Sequence, residues 1–142
     1  MINILSRPDL TPDAVLASLQ EHYGIDGTLT SLPGDRDLNF LVTGTDGLKR
    51  VAKISSPDET DEILEIEADL IRHMARATDG FVADVIPSLG GAWIVKHIAE
   101  DGKIHRIRVV EYLEGRLFAE VQPRSPSLLY DLGRRMADLD SA

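Results

Sequence analysis

The sequence contains no cysteine, which excludes both a disulfide framework and a thiolate metal site and fits a reducing compartment. It also lacks a long apolar run. Its first residues show no basic region followed by an apolar core and a cleavage site. These absences predict a soluble, cytoplasmic protein with no membrane partner.

Positive charge is in short supply, because 15 Lys and Arg residues stand against 24 Asp and Glu residues, giving a formal net charge of -9 at pH 7. An acidic chain repels a phosphate backbone, and the basic residues are scattered rather than grouped in one stripe. The sequence therefore predicts no nucleic-acid partner. The same acidity suits a cationic substrate such as an amine.

Apolar residues are sufficient for one packed domain, at 43% hydrophobic and 27% charged in 142 residues. Caps, turn residues and hydrophobic spacing predict the order helix, three strands, helix, two or three strands, helix. The predicted helices are 12–23, a long helix that opens at a capping box in 56–59 and runs to about residue 77, and a terminal helix from residue 125 that reaches the C-terminus without a cap. The predicted strand segments are 28–32, 39–43, 50–54, 85–89, 92–99 and 103–112.

The long helix predicts an ion pair. Ile63, Leu70 and Met74 recur at spacings of seven and four, and Glu67 falls on the same stripe, which is expected to face the sheet. A buried carboxylate without a partner is costly, so a cation from the strands should meet it. Lys53, on the strand just before this helix, is the predicted partner.

Three alternatives to this pair stay open. Lys53 is otherwise an ordinary solvated strand residue, Glu67 is otherwise an edge residue that reaches water, and Glu65 is the second candidate among the helix glutamates. The order of parts nevertheless matches a kinase small lobe, in which such a lysine binds the α- and β-phosphates and the helix glutamate holds the lysine.

The turn at 33–37 would then lie over the phosphates and offer its backbone N–H groups to them. Only Gly34 gives it flexibility, and Asp35 and Asp37 repel phosphate unless they turn outward or share a metal. An ordinary hairpin turn is the alternative interpretation of this segment.

Four segments carry a family resemblance when they are taken together. They are 32–40 with its Gly-Asp-Arg-Asp-Leu-Asn-Phe turn, 51–55 with Val-Ala-Lys-Ile-Ser, the glutamate at 67, and 111–115 with Glu-Tyr-Leu-Glu-Gly. In this order and spacing they resemble the aminoglycoside-phosphotransferase and choline-kinase-like family, and within it the hydroxylysine-kinase branch. The likeness runs from about residue 20 to residue 142.

The resemblance implies an α+β, protein-kinase-like small lobe. Its expected parts are an antiparallel five-stranded sheet, a flanking helix of the αC type, and N-terminal and C-terminal helices. Residues 1–115 would form the nucleotide-binding lobe, and 116–142 would be the start of the linker and the first helix of a missing C-terminal lobe.

The resemblance also implies which residues meet ATP or GTP. Val110 would take the gatekeeper position, and the backbone C=O of Glu111 and N–H of Leu113 would pair with the purine edge. The implied nucleotide-binding residues are Gly34, Asp35, Arg36, Asp37, Asn39, Lys53, Glu67, Glu111 and Leu113.

One part of the family's pattern is absent from the sequence. A phosphotransferase needs an aspartate to orient the acceptor hydroxyl, an asparagine shortly after it and a further aspartate for Mg²⁺. The family places the first of these in a His-Gly-Asp segment, yet none of the four histidines is followed two residues later by aspartate: His22, His73, His97, His105. We therefore expect no catalytic residue and no metal ligand in this chain, which would be inactive alone, with the Mg²⁺ ligands in the missing lobe.

These observations lead to one functional hypothesis and two alternatives. The leading hypothesis is a parent enzyme that transfers the γ-phosphoryl group of ATP or GTP to a hydroxyl of a small amine or amino alcohol. The first alternative is a non-catalytic nucleotide- or protein-binding module in a larger protein, including one fused to a pyridoxal-phosphate aminotransferase, and the second is an unrelated α+β domain.

The apolar stripe of the terminal helix predicts self-association or a displaced helix, and its residues are Leu128, Leu129, Leu132, Met136 and Leu139.

Overall fold

The computed structural model describes residues 6–142. Within these residues the chain forms three α-helices, α1 (Pro12–Tyr23), α2 (Asp61–Ala77) and α3 (Pro126–Asp140), and a short 3-10 helix at Phe118–Glu120. The strands are β1 (Gly27–Leu32), β2 (Leu38–Gly44), β3 (Lys49–Ile54), β4 (Val85–Ile86), β5 (Val95–Ile98) and β6 (Ile104–Glu111).

All strand pairs are antiparallel, and they join into one sheet with the order β1-β2-β3-β6-β4, in which β5 also pairs with β6. The α+β prediction of an antiparallel sheet with a flanking helix is confirmed. The sheet has six strands rather than five, because the two residues of β4 pair with Val110 and Val109 of β6.

Helix α1 covers one face of the sheet and has the predicted bounds. Thr11 caps its start by accepting a hydrogen bond from the N–H of Ala14, and Gly24 ends it in the left-handed conformation at φ 66°. Val15 and Leu19 of this helix are fully buried in the core. The core residues that the sheet contributes are Phe40, Val42, Ala52, Ile54, Val95, Ile107 and Val109.

Helix α2 begins later than the capping box at 56–59 predicts. Its cap is Thr60, whose hydroxyl accepts from the N–H of Ile63, with Asp61 and Glu62 in the first turn. The hydroxyl of Ser56 instead accepts from the N–H of Asp58 at 3.3 Å within a turn that precedes the helix, and it donates to the carbonyl of Ser6 at 2.6 Å. The predicted end at residue 77 is confirmed.

The buried stripe predicted for α2 is wrong by one position. Leu64 and Ala68 are the buried residues, whereas Ile63 and Leu70 are 49% and 56% exposed. Apolar residues follow helical spacing on both sides of this helix, so spacing alone did not select a face. The prediction that Glu67 faces the sheet nevertheless holds, as its contacts below show.

Helix α3 starts where the sequence predicts, with the Ser125 hydroxyl accepting from the N–H of Leu128. It ends at Asp140 with Ser141 as its cap, so the expectation of an uncapped end is wrong. The helix contacts α2, and none of its residues is buried. The predicted apolar stripe is thus largely uncovered. None of the helices in residues 6–142 combines the length and the apolar character needed to cross a membrane.

A pair of histidines at the end of the core predicts a pH-dependent stability. His105 is 1% exposed, faces His97 across β5 and β6, and has no hydrogen-bond partner at either ring nitrogen within the described residues. Burial, reinforced by the neighbouring His97, lowers the pKa of His105 below its usual 6.5. The unfolded chain therefore binds more protons than the folded chain, and stability falls as the pH drops below about 6.5.

We expect the denaturation midpoint to decrease between pH 7 and pH 5, and the His105→Gln substitution to flatten this dependence. Exposed His73 offers the matched control, because His73→Gln should leave the slope unchanged. Equal slopes for the wild type and His105→Gln would contradict the assignment.

Candidate functional site

The face of the sheet opposite α1 carries a row of polar side chains. Asn39 of β2, Lys53 of β3 and Arg108 of β6 are direct neighbours across the three strands. The next row on this face is apolar, because Leu41, Val51 and Val110 follow at the same register and are each partly exposed. This side of the sheet therefore combines a cationic row with an accessible apolar row.

Glu67 of α2 meets this polar row at Arg108. Nη1 of Arg108 donates to Oε2 of Glu67 at 3.3 Å, and the Arg108 side chain is 8% exposed. The predicted pair of Lys53 with Glu67 is therefore wrong in this structure, and Glu65 is exposed on another side of the helix. Among residues 6–142, Lys53 has no carboxylate within ion-pair distance.

The position of α2 explains why Arg108 replaces Lys53. The helix contacts β4, which lies beside β6, whereas Lys53 is on β3, one strand further away. Neighbouring strands are about 4.8 Å apart, and the guanidinium group is long and more weakly hydrated than an ammonium group, so it tolerates burial better. The sequence reasoning missed Arg108, although two arginines at alternate positions of a strand, Arg106 and Arg108, signal a charged face.

Charged contacts fix α2 at both ends. Asp61 at its start accepts hydrogen bonds from Nε of Arg106 and, at 2.7 Å, from Nζ of Lys96. These two cations hold the pKa of the Asp61 carboxyl below its usual value. Towards its end, the guanidinium of Arg72 lies 3.7 Å from the ring centroid of Trp93. Only two side chains of α2 are fully buried, so these polar contacts supplement a small apolar interface.

Asn39 holds the turn between β1 and β2. Its Nδ2 donates to the carbonyl of Pro33 at 3.1 Å, while its Oδ1 is buried without a partner among the described residues. Asp35 and Arg36 are exposed, and Asp37 is partly buried. The turn therefore directs one of its two aspartates outward.

The Asp37 carboxylate adds to a group of negative charges beside the polar row. Burial first, and then the carboxylates of Asp37 and Glu67, raise the pKa of Glu59, while Arg36 and Arg108 oppose the rise. The charge of Arg108 is therefore shared by more than one nearby acid.

Position 34 has no room for a side chain, because neighbouring atoms of the turn approach its backbone closely. A Cβ at this position would lie 2.5 Å from Nδ2 of Asn39 and 2.6 Å from the backbone oxygen of Asp37. We expect Gly34→Ala to displace the turn, with a loss of stability of about 1 kcal/mol, and to weaken by about tenfold the nucleotide binding that the family resemblance implies. The open Gly47, where a Cβ meets nothing within 4 Å but φ is 81°, provides a comparison for backbone strain alone. Equal nucleotide affinity for the Gly34→Ala and Gly47→Ala proteins would contradict a role for the turn.

Residues 110–113 lie at the end of β6. Val110 belongs to the apolar row, and Glu111 is the last residue of the strand. The N–H of Glu111 donates to the carbonyl of Asp84 at 2.9 Å, and its carboxylate accepts from the N–H of Asp84 at 3.1 Å. Leu113 lies beyond the strand and is 48% exposed. The segment thus leaves the sheet beside the apolar row.

No cluster of three or more His, Asp or Glu residues in the described part of the chain has the arrangement of a metal site.

An antiparallel sheet with a cationic row, a covering glycine turn and a flanking helix whose glutamate reaches that row defines the small lobe of a protein-kinase-like fold. Two solved kinases share the fold. A microcompartment-associated aminopropanol kinase matches with a TM-score of 0.71 at 19% identity, over 91% of this chain and 40% of its own. The amicoumacin kinase hAmiN, in complex with AMP-PNP, Ca²⁺ and Ami, matches with a TM-score of 0.64 at 22% identity, over 75% of this chain and 32% of its own.

The sequence profile of the phosphotransferase enzyme family (APH) matches residues 28–142, and the chain belongs to this family. It is similar to the hydroxylysine kinase of Danio rerio, at 27% identity over 141 residues, and to that of Bos taurus, at 29% identity over 150 residues. Each alignment covers 96% of this chain and 39% of the relative. The chain thus spans about two fifths of the length of these relatives.

Proposed function

We propose that this chain is the nucleotide-binding lobe of a small-molecule kinase, which transfers the γ-phosphoryl group of ATP or GTP to a hydroxyl of a small amine or amino alcohol. The observation that carries the proposal is the pair of rows on the open face of the sheet. A nucleotide is an apolar ring joined to an anionic chain, and the apolar row of Leu41, Val51 and Val110 lies next to the row that contains Lys53.

The residues present fit such a group. Lys53 has an ammonium without a carboxylate partner in the described chain, and buried Oδ1 of Asn39 and Nε of Arg108, on either side of it, lack partners as well. In the proposal, Lys53 binds phosphate oxygens, and the N–H groups of the turn from Gly34 to Asp37 cover them. The backbone of Glu111 and Leu113 contacts the purine edge.

The chemistry of transfer belongs to residues outside this sequence. Residues 1–115 form the nucleotide-binding lobe, and 116–142 begin the connection to a second lobe, which in the proposal supplies the aspartate that orients the acceptor and the Mg²⁺ ligands. Mg²⁺, when bound, would neutralise charge on the transferred phosphoryl group. The largely uncovered stripe of α3, which includes Leu129 at 50% and Met136 at 59% exposure, is where we propose that this lobe or a second copy of the chain docks.

The acceptor is proposed from charge and from similarity. A chain with a net charge of -9 favours a cationic substrate, and the similar proteins are named as kinases of hydroxylysine, aminopropanol and amicoumacin. A small amine that carries a hydroxyl group fits both observations.

The test is made with the full-length polypeptide that contains this chain. Calorimetric titration with ATP and with GTP, each with Mg²⁺, should give a Kd in the range of about 1 μM to 1 mM for at least one of them. Release of ADP or GDP should then depend on a hydroxylated amine. Binding without transfer would favour the non-catalytic module, and the absence of binding for both nucleotides would refute the proposal.

A further inference from the structure

Residues 6–10, which precede α1, form a strap that is attached to the loop between β3 and α2. The N–H of Ser6 donates to Oδ2 of Asp58 at 2.6 Å, and the carbonyl of Ser6 accepts from the hydroxyl of Ser56 at 2.6 Å. Both polar groups of the Ser6 backbone are therefore bound by one short loop. The hydrogen bond from this N–H holds the pKa of the Asp58 carboxyl below its usual value.

The strap is also anchored in the core. Pro8 and Leu10 are buried, and Leu10 belongs to the apolar cluster that contains Val15 of α1. On the loop, Ser56 is fully buried, and its hydroxyl is satisfied by the bond to the strap and by the N–H of Asp58. The strap thus has a defined path from the loop to the core.

This path passes the glycine turn at 33–37. Leu38, the first residue of β2, is opposite Ile54, the last residue of β3, so the turn and the loop leave the sheet at the same edge. Arg7 of the strap lines an open cleft of about 670 Å³ together with residues 31–35, which include the first half of the turn. The strap therefore borders the turn and is bonded to the loop.

The turn has little else to hold it in place. A side-chain hydrogen bond from Asn39 to the carbonyl of Pro33 fixes its start, while Asp35 and Arg36 are exposed. The turn carries two aspartates and one arginine, and Arg7 adds a positive charge beside them. Ordering a loose turn on binding weakens affinity, whereas a turn bordered by an anchored segment is pre-organised.

We propose that Asp58 is a positioning residue of the nucleotide-binding face: together with Ser56 it holds the strap at this edge of the sheet, and the strap keeps the glycine turn in the arrangement that covers a nucleotide. The effect on nucleotide rests on the proposed function, whereas the attachment of the strap does not. Residues 6–10 lie outside the segment 28–142 that matches the family profile, so the match assigns them no role.

Coupling of this kind is reciprocal. If the attached strap favours nucleotide binding, bound nucleotide favours the attached strap by the same factor. We therefore expect ATP with Mg²⁺ to slow amide hydrogen exchange in residues 6–10 of the full-length protein. The reference is the exposed turn at 99–103, where the Asp101 carboxylate accepts from the N–H of Lys103 at 3.0 Å and exchange should be the same with and without ATP.

Point substitutions remove the attachment and leave the sequence of the turn intact. Asp58→Ala deletes the acceptor of the Ser6 N–H, and Ser6→Pro deletes the donor. Asp58→Asn keeps an oxygen acceptor and is the conservative variant. Asp101→Ala is the matched control, because it removes an exposed carboxylate that also binds a backbone N–H.

We expect Asp58→Ala and Ser6→Pro each to weaken the Kd for ATP with Mg²⁺ by about fivefold and to accelerate exchange in residues 33–37. The double variant should bind no worse than either single variant, because both substitutions remove the same hydrogen bond. Asp58→Asn should recover most of the affinity, and Asp101→Ala should leave the Kd unchanged. A strap that only stabilises the fold predicts a lower Tm for Asp58→Ala with no change in Kd.

The outcomes separate this inference from the proposed function. If the unmodified protein bound ATP, and Asp58→Ala and Ser6→Pro bound it equally well, the inference would be overturned and the proposed function would stand. Fully additive losses of affinity would also overturn it, because the two residues would then act separately. If the unmodified protein bound no nucleotide, the proposed function and the positioning role would both fail, and exchange in residues 6–10 of Asp58→Ala would still show whether Asp58 attaches the strap.

Discussion

Replacement of Lys53 by alanine is expected to weaken nucleotide binding by about 10- to 100-fold, since a hydrogen bond to a charged group contributes about 1.5–3 kcal/mol. Under the proposed function, turnover of the full-length protein should fall by about 100-fold or more, because the same ammonium would stabilise charge on the phosphates during transfer. Lys53 is partly exposed and has no carboxylate partner in residues 6–142, so its removal leaves no buried charge uncompensated. The Tm should therefore change by less than about 2 °C.

The control is Lys103→Ala, in the exposed turn between β5 and β6, where the ammonium lies 3.5 Å from the carboxylate of Asp101. Calorimetric Kd values and steady-state kinetics on both variants separate the site from a general charge effect. A Lys53→Ala protein that binds and turns over like the wild type would remove the kinase assignment. A large decrease in Tm without any change in affinity would instead indicate that Lys53 has a structural partner.

Leu19→Ala should have the largest effect on stability. Leu19 is fully buried where α1 meets the sheet, in contact with the cluster that contains Ile54 and Ile107. Truncation of a buried leucine removes about 2–5 kcal/mol from the free energy of unfolding, because both transfer energy and packing are lost. In a chain of this size the Tm should fall by roughly 10 °C.

The matched substitution is Leu129→Ala in α3, the same change in a helix where the side chain is 50% exposed. Its effect on the isolated chain should be below about 1 kcal/mol. Chemical denaturation of both variants provides the measurement. If both leucines had equal effects, α1 would not be an integral part of the folded lobe, and the core described above would be wrong.

The element order was predictable because local signals agree with one another. Thr11 with Pro12, and Ser125 with Pro126, mark the helix starts with a capping hydroxyl followed by proline, and the structure places both helices there. The start of α2 was not predictable in the same way, since Ser56 and Thr60 both offer a capping hydroxyl. The Ser56 hydroxyl also donates to the carbonyl of Ser6, fifty residues earlier in the chain, and no local pattern reveals this contact.

The candidate site was predictable only in part, and the limit is again a long-range contact. Period-two alternation is sufficient to place Lys53 on one face of its strand, whereas the helical pattern of α2 did not select the buried stripe, which contains Leu64 and Ala68. Neither pattern states which strand lies under the helix. The strand under the helix is determined by the pairing of β6 with β3, which are distant in the chain. Because of this pairing, Glu67 contacts Arg108 of β6 rather than Lys53 of β3.

By itself, then, the sequence determined the helix and strand order, the absence of disulfides, the acidic charge, the glycine turn and a family resemblance that the profile match confirms. Each of these depends on residue identity or on spacing within one segment. Only the tertiary structure decided the partner of Glu67, the orphaned atoms on either side of Lys53 and the exposure of α3. These depend on which distant segments the sheet brings side by side, and no local pattern carries that information.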